Sequence, residues 1–185
     1  MNLTEVDKKI LECISQPDKH NQALTLLINT YQKKLYWQIR RIVINHDDAD
    51  DALQNTFIKA WQGLQNFNQN SSLFTWLYRI ATNEALQILR EKTRKNNIPY
   101  EQVSYYLSNT LTSDPYFKGD EIQKKLQEAI LSLPEKQRIV FNMRYYEEIS
   151  YEEMAEILDT SVGALKASYH HAVKKIEEHL LNHLE

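Results

Sequence analysis

The sequence predicts an all-α protein built as two small helical domains joined by a flexible linker, and three observations carry this. Glycine and proline number three and four in 185 residues, which leaves few turn residues for a sheet. Apolar residues recur at spacings of three and four along most of the chain. One polar stretch breaks that period. The expected division is therefore 1–95 for the first module, 96–119 for the linker and 120–185 for the second module.

In the first module, Val6, Ile10, Leu11 and Ile14 make a short amphipathic helix that Pro17 closes. Leu24, Leu27, Ile28, Tyr31, Leu35, Ile39 and Ile42 continue the period as a long second helix ending near Asn45 and His46. A third helix begins in the acidic run HDDADD and buries Leu53, Phe57, Ala60, Trp61 and Leu64. The polar stretch QNFNQNSS, residues 65–72, is a loop whose Ser72 is placed to cap the next helix. That fourth helix carries Leu73, Trp76, Leu77, Ile80 and Ala81 on one side and ends in the basic run REKTRK. Trp76 lies on the apolar stripe and reads as core. The linker, NNIPYEQVSYYLSNTLTSDPYFKG, holds two prolines and a glycine among Asn, Ser and Thr, and reads as an extended tether.

In the second module, Ile122, Leu126, Ala129, Ile130 and Leu133 form a helix, and Pro134 opens the next at a position where a missing N–H costs nothing. From Ser150 to Leu180 the chain reads as two helices around a short turn. Ser150 and Glu153 make a capping box, Ala155 gives the small side chain needed where helices cross, and Ser161 caps the second helix. Ile157, Leu158, Leu165, Tyr169, Ala172, Ile176 and Leu180 supply the apolar stripe. The second helix offers small and basic residues at its start, Gly163, Ala164 and Lys166, as a helix-turn-helix reader of the major groove does. An ordinary helical hairpin carries the same caps, and Asp159 stands in the turn where many such motifs have glycine.

Composition narrows the function. Cys13 is the lone cysteine, which rules out an intrachain disulfide and a cysteine cluster for zinc. His179 and His183 stand at i, i+4, but two ligands without a third describe a solvated face. No nucleophile motif or Gly-rich phosphate loop is present, so neither catalysis, nor a cofactor, nor a small-molecule substrate is expected. The start MNLTEVDKKI lacks a basic and apolar leader, and no apolar run approaches the roughly 20 residues that cross a bilayer, so a cytoplasmic protein without membrane insertion is expected. The net charge of −3 argues against finding DNA by bulk electrostatics. Acidic residues 46–51 suit a basic protein surface, whereas basic residues 90–95 suit phosphate.

Taken in order, DADDALQNTFIKAW (48–61), SSLFTWLYRIATNEALQILR (71–90) and LPEKQRIVFNMRYYEEISYEEMAEIL (133–158) with the helix that follows resemble the extracytoplasmic-function (ECF) RNA polymerase sigma factors. The likeness covers nearly the whole chain. It implies sigma region 2 in the first module, sigma region 4 in the second, and core RNA polymerase and promoter DNA as partners. Such factors are often held by an anti-sigma factor, though no residue here identifies one.

By this resemblance Asp48, Asp50, Asp51 and Gln54 bind core polymerase, with Asn55 where a glutamate is usual. Phe67, Asn68, Gln69, Ser71, Tyr78, Arg79, Ile80, Asn83 and Arg90 serve minus-ten DNA, where a base that has left the stack needs apolar walls and a few hydrogen-bonding groups. Ser161, Gly163, Ala164, Lys166, Ala167, His170 and Lys174 serve the minus-thirty-five duplex. There, Lys166, Lys174 and Lys175 match basic positions, but Ser168, His171 and Val173 stand where arginines are frequent. The rival reading is a stand-alone helix-turn-helix regulator, which normally needs a dimerisation helix or a large basic surface.

The scarcity of positive charge has a measurable consequence. With three lysines as the main phosphate contacts, the isolated C-terminal module is expected to show a salt slope of only about −2 to −3 on duplex DNA. Titrating duplex affinity against salt tests this, and a slope near −6 would reveal cationic contacts beyond these lysines.

Overall fold

A computed structural model describes residues 3–99, 102–113 and 121–183, and among these residues the secondary structure is helical throughout. α1 (Glu5–Ile14) is followed by a 3₁₀ turn at Pro17–Lys19 and by α2 (His20–Val43). The other N-terminal helices are α3 (His46–Leu64) and α4 (Leu73–Lys95), with α5 (Val103–Thr112) after them. The C-terminal helices are α6 (Glu121–Leu131), α7 (Glu135–Tyr145), α8 (Tyr151–Leu158) and α9 (Val162–His183).

Most of these helices start where a side chain can take up free N–H groups. Thr4 and Asp7 form a capping box on α1, and the same carboxylate, buried, accepts the Tyr31 hydroxyl of α2, which ties the first helix down. The Asn45 side chain accepts from the Asp48 N–H at 3.0 Å, and the Ser72 hydroxyl from the Thr75 N–H at 3.0 Å. Ser150 and Glu153 form the second capping box, and Ser161 accepts from the Ala164 N–H at 3.3 Å. Pro134 sits one residue earlier than expected, as the N-cap of α7 rather than its first turn.

α2, α3 and α4 pack on one another, with Leu27, Leu35, Ile39, Ala52, Ala60, Leu64, Leu73, Leu77 and Ala81 buried between them. A second cluster, Ala129, Ile130, Leu133, Phe141, Ala172 and Ile176, joins α6, α7 and α9. The first cluster does not stop at the N-terminal helices. It runs on through Ile139, Val140, Met143, Met154, Ile157 and Leu165, so that α8 rests on α4 and α7 on α2.

The tether departs from the extended form expected of it. Residues 103–112 coil into α5, which buries Leu107 and Leu111 in the main core. The signal was Val103, Leu107 and Leu111 at i, i+4 and i+8, a short helical stripe masked by the surrounding Asn, Ser and Thr.

Caps of this kind are typically worth about 1 kcal/mol. Ser150→Ala is therefore expected to lower stability by roughly 0.5–2 kcal/mol, since it removes one acceptor and frees the partner carboxylate. Chemical denaturation followed by circular dichroism measures it. An unchanged midpoint would mean that packing alone holds α8.

Candidate polymerase and nucleic-acid interfaces

The acidic face is built by a sharp turn. Ile44 ends α2 in the left-handed region, at φ 65° and ψ −39°, and sends the chain into α3 with its acidic first turn outward. Asp47, Asp50, Asp51 and Gln54 are exposed there, while Leu53 is buried. His46 lies 3.5 Å from the Asp50 carboxylate and takes the Tyr36 hydroxyl on its other nitrogen.

Asp48 does not join this outward set. Its carboxylate turns to Lys92 of α4 at 2.5 Å and keeps only 18% of its side chain exposed. Burial pulls the Lys92 ammonium down, but the hydrogen bond and charge of Asp48 outweigh it and leave the pKa raised. Asp48 and Lys92 are thus committed to each other. Asp47, part of the acidic run but not among the residues named for the polymerase, is exposed beside them.

The loop before α4 encloses a cleft of about 700 Å³, within the size range of ligand clefts. Phe67, Asn68, Asn70, Ser71, Thr75, Trp76 and Arg79 line it. The Phe67 and Trp76 rings meet at 5.2 Å between centroids and give it an aromatic wall. Trp76 lies close on α3 because residue 63 is glycine, where a Cβ would come within 3.0 Å of the indole. Its expected core role is therefore incomplete: one part packs inward and another faces the cleft.

The other expected minus-ten residues are dispersed. Asn83 and Arg90 lie further along α4 on a groove shared with α8 and α9. Gln69, at φ 58°, turns toward a separate cleft with Leu11, Pro17 and His20. Ile80 is half-buried against the core. Tyr78 is fully buried, which corrects its expected place in the pocket: its ring packs on Phe74 at 4.4 Å and its hydroxyl finds no well-formed hydrogen bond among the described residues. Burial, and then the nearby Glu147 carboxylate, push its pKa far above the usual tyrosine value. Phe67, Asn68, Ser71 and Arg79 are thus brought together, and Asn66, Asn70, Thr75 and Trp76 join them unforeseen.

In the helix-turn-helix, Asp159 occupies the turn at φ 50° and ψ 52°. Aspartate tolerates this left-handed conformation better than most residues, which explains how the motif does without its usual glycine. Leu165, Ala172 and Ile176 point inward, while Ser161, Gly163, Ala164, Lys166, Ala167, His170 and Lys174 are all exposed on α9. A Cβ at Gly163 would meet nothing within 4 Å. The small start of α9 is not required by the chain's own packing. It leaves room for something outside.

Among the described residues, no helix is long and apolar enough to cross a membrane, and no group of three or more potential metal ligands forms.

A helical scaffold with a helix-turn-helix at its C-terminal end defines a class that comparison with known proteins makes definite. Family models match at residues 27–95, described as Sigma-70 region 2, and at 123–176, described as Sigma-70, region 4. The ECF RNA polymerase sigma-E factor of Haemophilus influenzae is 32% identical over 179 residues, covering 92% of this chain and 93% of that one. The RNA polymerase sigma-H factor of Pseudomonas aeruginosa is 31% identical over 184 residues, 95% of this chain and 94% of its own. Among solved structures, CnrH in complex with the cytosolic domain of CnrY shares the fold, with a TM-score of 0.70 at 20% identity over 97% of this chain and 99% of that one. RpoE of Bartonella quintana, solved with the anti-sigma factor NepR, has a TM-score of 0.64 at 22% identity, over 84% and 95% of the two chains. The chain belongs to the ECF sigma factors: it binds core RNA polymerase, recognises promoter elements and initiates transcription.

The open site at Gly163 generates a stability prediction. Gly163→Ala removes backbone freedom from the unfolded chain without a clash, so it is expected to stabilise the free protein by about 0.4–1 kcal/mol. Denaturant melts of the two forms check this, and destabilisation would show a neighbour that the structure does not place there.

Proposed function

We propose a division of labour along the chain. Residues 1–95 bind core polymerase and capture the minus-ten element, 96–119 link the readers, and 120–185 recognise the minus-thirty-five duplex. Asp50, Asp51 and Gln54, together with Asp47, set encounter and orientation on a basic surface of the polymerase. The observation that carries the minus-ten assignment is the Phe67–Trp76 cleft rimmed by Asn68, Ser71 and Arg79. A flipped base stacks on the aromatic wall, the amides and hydroxyls meet its edge, and Arg79, with Asn83 and Arg90 beyond it, follows the backbone. Ser161, Gly163, Ala164, Lys166, Ala167, His170 and Lys174 face the duplex in the major groove. The protein supplies binding and strand capture, while catalysis of RNA synthesis remains with the polymerase. It acts in the cytoplasm, and the two neighbours solved with a second protein support an anti-sigma factor as a further partner.

One promoter-opening assay with permanganate separates these roles. Asp50→Lys with Asp51→Lys is expected to lose thymine reactivity because holoenzyme fails to assemble, with helicity unchanged. Phe67→Ala is expected to assemble normally and still lose at least tenfold in opening, an effect of about 1.4 kcal/mol or more on capture. Full opening by Phe67→Ala would remove the aromatic cleft from the minus-ten reader.

A further inference from the structure

Phe67 lines two clefts. One is the aromatic cleft it shares with Trp76, and the other, of about 440 Å³, opens between α1, the 3₁₀ turn, the end of α3 and the loop that follows it. Leu11, Ile14 and Phe67 give this second cleft apolar walls, and His20, Gln65 and Gln69 supply polar groups. No lysine, arginine or carboxylate lines it among the described residues. It therefore suits a neutral, flat group with a hydrogen-bonding edge rather than a phosphate.

Two of its polar residues are set for such a group. His20 donates from Nε2 to the Ile14 carbonyl at 3.0 Å and meets the Trp61 ring edge-on at 5.8 Å between centroids, which fixes the imidazole and leaves Nδ1 of the neutral ring an acceptor. Gln69 holds φ at 58°, a left-handed conformation that strains a residue other than Gly, Asn or Asp. Its exposed side chain takes no hydrogen bond among the described residues that would offset this strain. The turn at 69 sends consecutive side chains, Asn68 and Gln69, into different clefts.

We propose that the second cleft takes a further unstacked nucleobase of the melted non-template strand, with the Phe67 ring as the divider between two captured bases. This rests on the minus-ten reading of the first cleft. Trp76 meets the Phe67 ring in the first cleft, and the same ring walls the second, so that one apolar side chain keeps two bases from restacking. The Gln69 amide, with a donor and an acceptor, pairs with the edge of the second base, and His20 Nδ1 accepts from an amino group on it.

The test uses holoenzyme assembled from the full-length chain, on a promoter chosen from a genomic library by transcription. Single abasic sites are walked along the non-template strand of a pre-opened bubble, and the affinity for each is read by fluorescence anisotropy. Wild type is expected to lose about fivefold or more at two positions, one for each cleft. Asn68→Ala shrinks the loss at one position, Gln69→Gly shrinks it at the other, and Phe67→Ala shrinks both. Glycine accepts the positive φ without strain, and Gln69→Asn, which tolerates the same φ and keeps an amide, retains sensitivity at the second position, so the effect of Gln69→Gly is not one of misfolding. A single sensitive position in wild type, or a Gln69→Gly profile identical to wild type, overturns the second subsite. If Asn68→Ala alone changes the profile, the first cleft stands without the second; if neither variant changes it, the minus-ten reading fails together with this inference.

Discussion

The two-sided burial of α4 is the constraint on which the rest depends. Leu73, Leu77, Ala81, Ala85 and Leu89 face α2 and α3 and close the N-terminal core. The opposite side carries Arg79, Asn83, Leu86 and Arg90, a partly polar face that lines the groove against α7, α8 and α9. A helix packed on both sides is held to one rotation about its axis, and that rotation decides which of its residues stay exposed. Gln38 of α2 donates to the Thr82 hydroxyl, which itself donates to the Tyr78 carbonyl at 2.8 Å, so a buried polar contact reinforces the apolar one. Lys59 and Glu84 pair at 2.5 Å across α3 and α4 with the carboxylate nearly buried. Each of these contacts acts against a slip of α4 along its own axis.

The turns do a second kind of positioning. Ile44 and Asp159 both adopt positive φ, yet at different cost. A β-branched residue in that region stores about 1–3 kcal/mol, offset here by burial of the Ile44 side chain and a 2.9 Å hydrogen bond from its N–H to the Arg40 carbonyl. Aspartate at 159, at φ 50° and ψ 52°, sits in the left-handed helical well with little strain, and the Thr160 N–H closes onto the Ala155 carbonyl at 3.2 Å. One turn aims the acidic start of α3, and the other sets α9 across α8. The exposed faces of α3 and α9 are therefore directed by turn residues that lie outside those helices.

Local signals in the sequence proved legible. The caps at Ser72, Ser150 and Ser161, the proline breaks and a period of three to four mark most of the helices, because each is a short-range consequence of N–H satisfaction or of one buried stripe, while the Thr4 and Asn45 caps came only with the structure. What depends on rotation or on distant partners was hidden. Tyr78 and Arg79 are neighbours, yet one is fully buried and the other exposed, and no period computed over a whole helix separates a boundary residue from its neighbour. Asp48 looks like Asp50 in the sequence, but the lysine that engages it lies 44 residues away. Trp76 was legible as apolar, while its second role needed the glycine at 63 and the ring at 67 to be seen together.

The helix inside the linker changes the reach of the molecule. Ten residues in α5 span about 15 Å at roughly 1.5 Å each, against about 33 Å if the same residues were extended. The difference of about 18 Å corresponds to roughly five base pairs of duplex at about 3.4 Å each. Leu107 and Leu111 are what keep the shorter form, since their burial offsets the entropy of coiling a segment rich in Ser, Thr and Asn. The structure thus holds this segment at its shorter length, and two leucines far from the candidate DNA-facing residues keep it there.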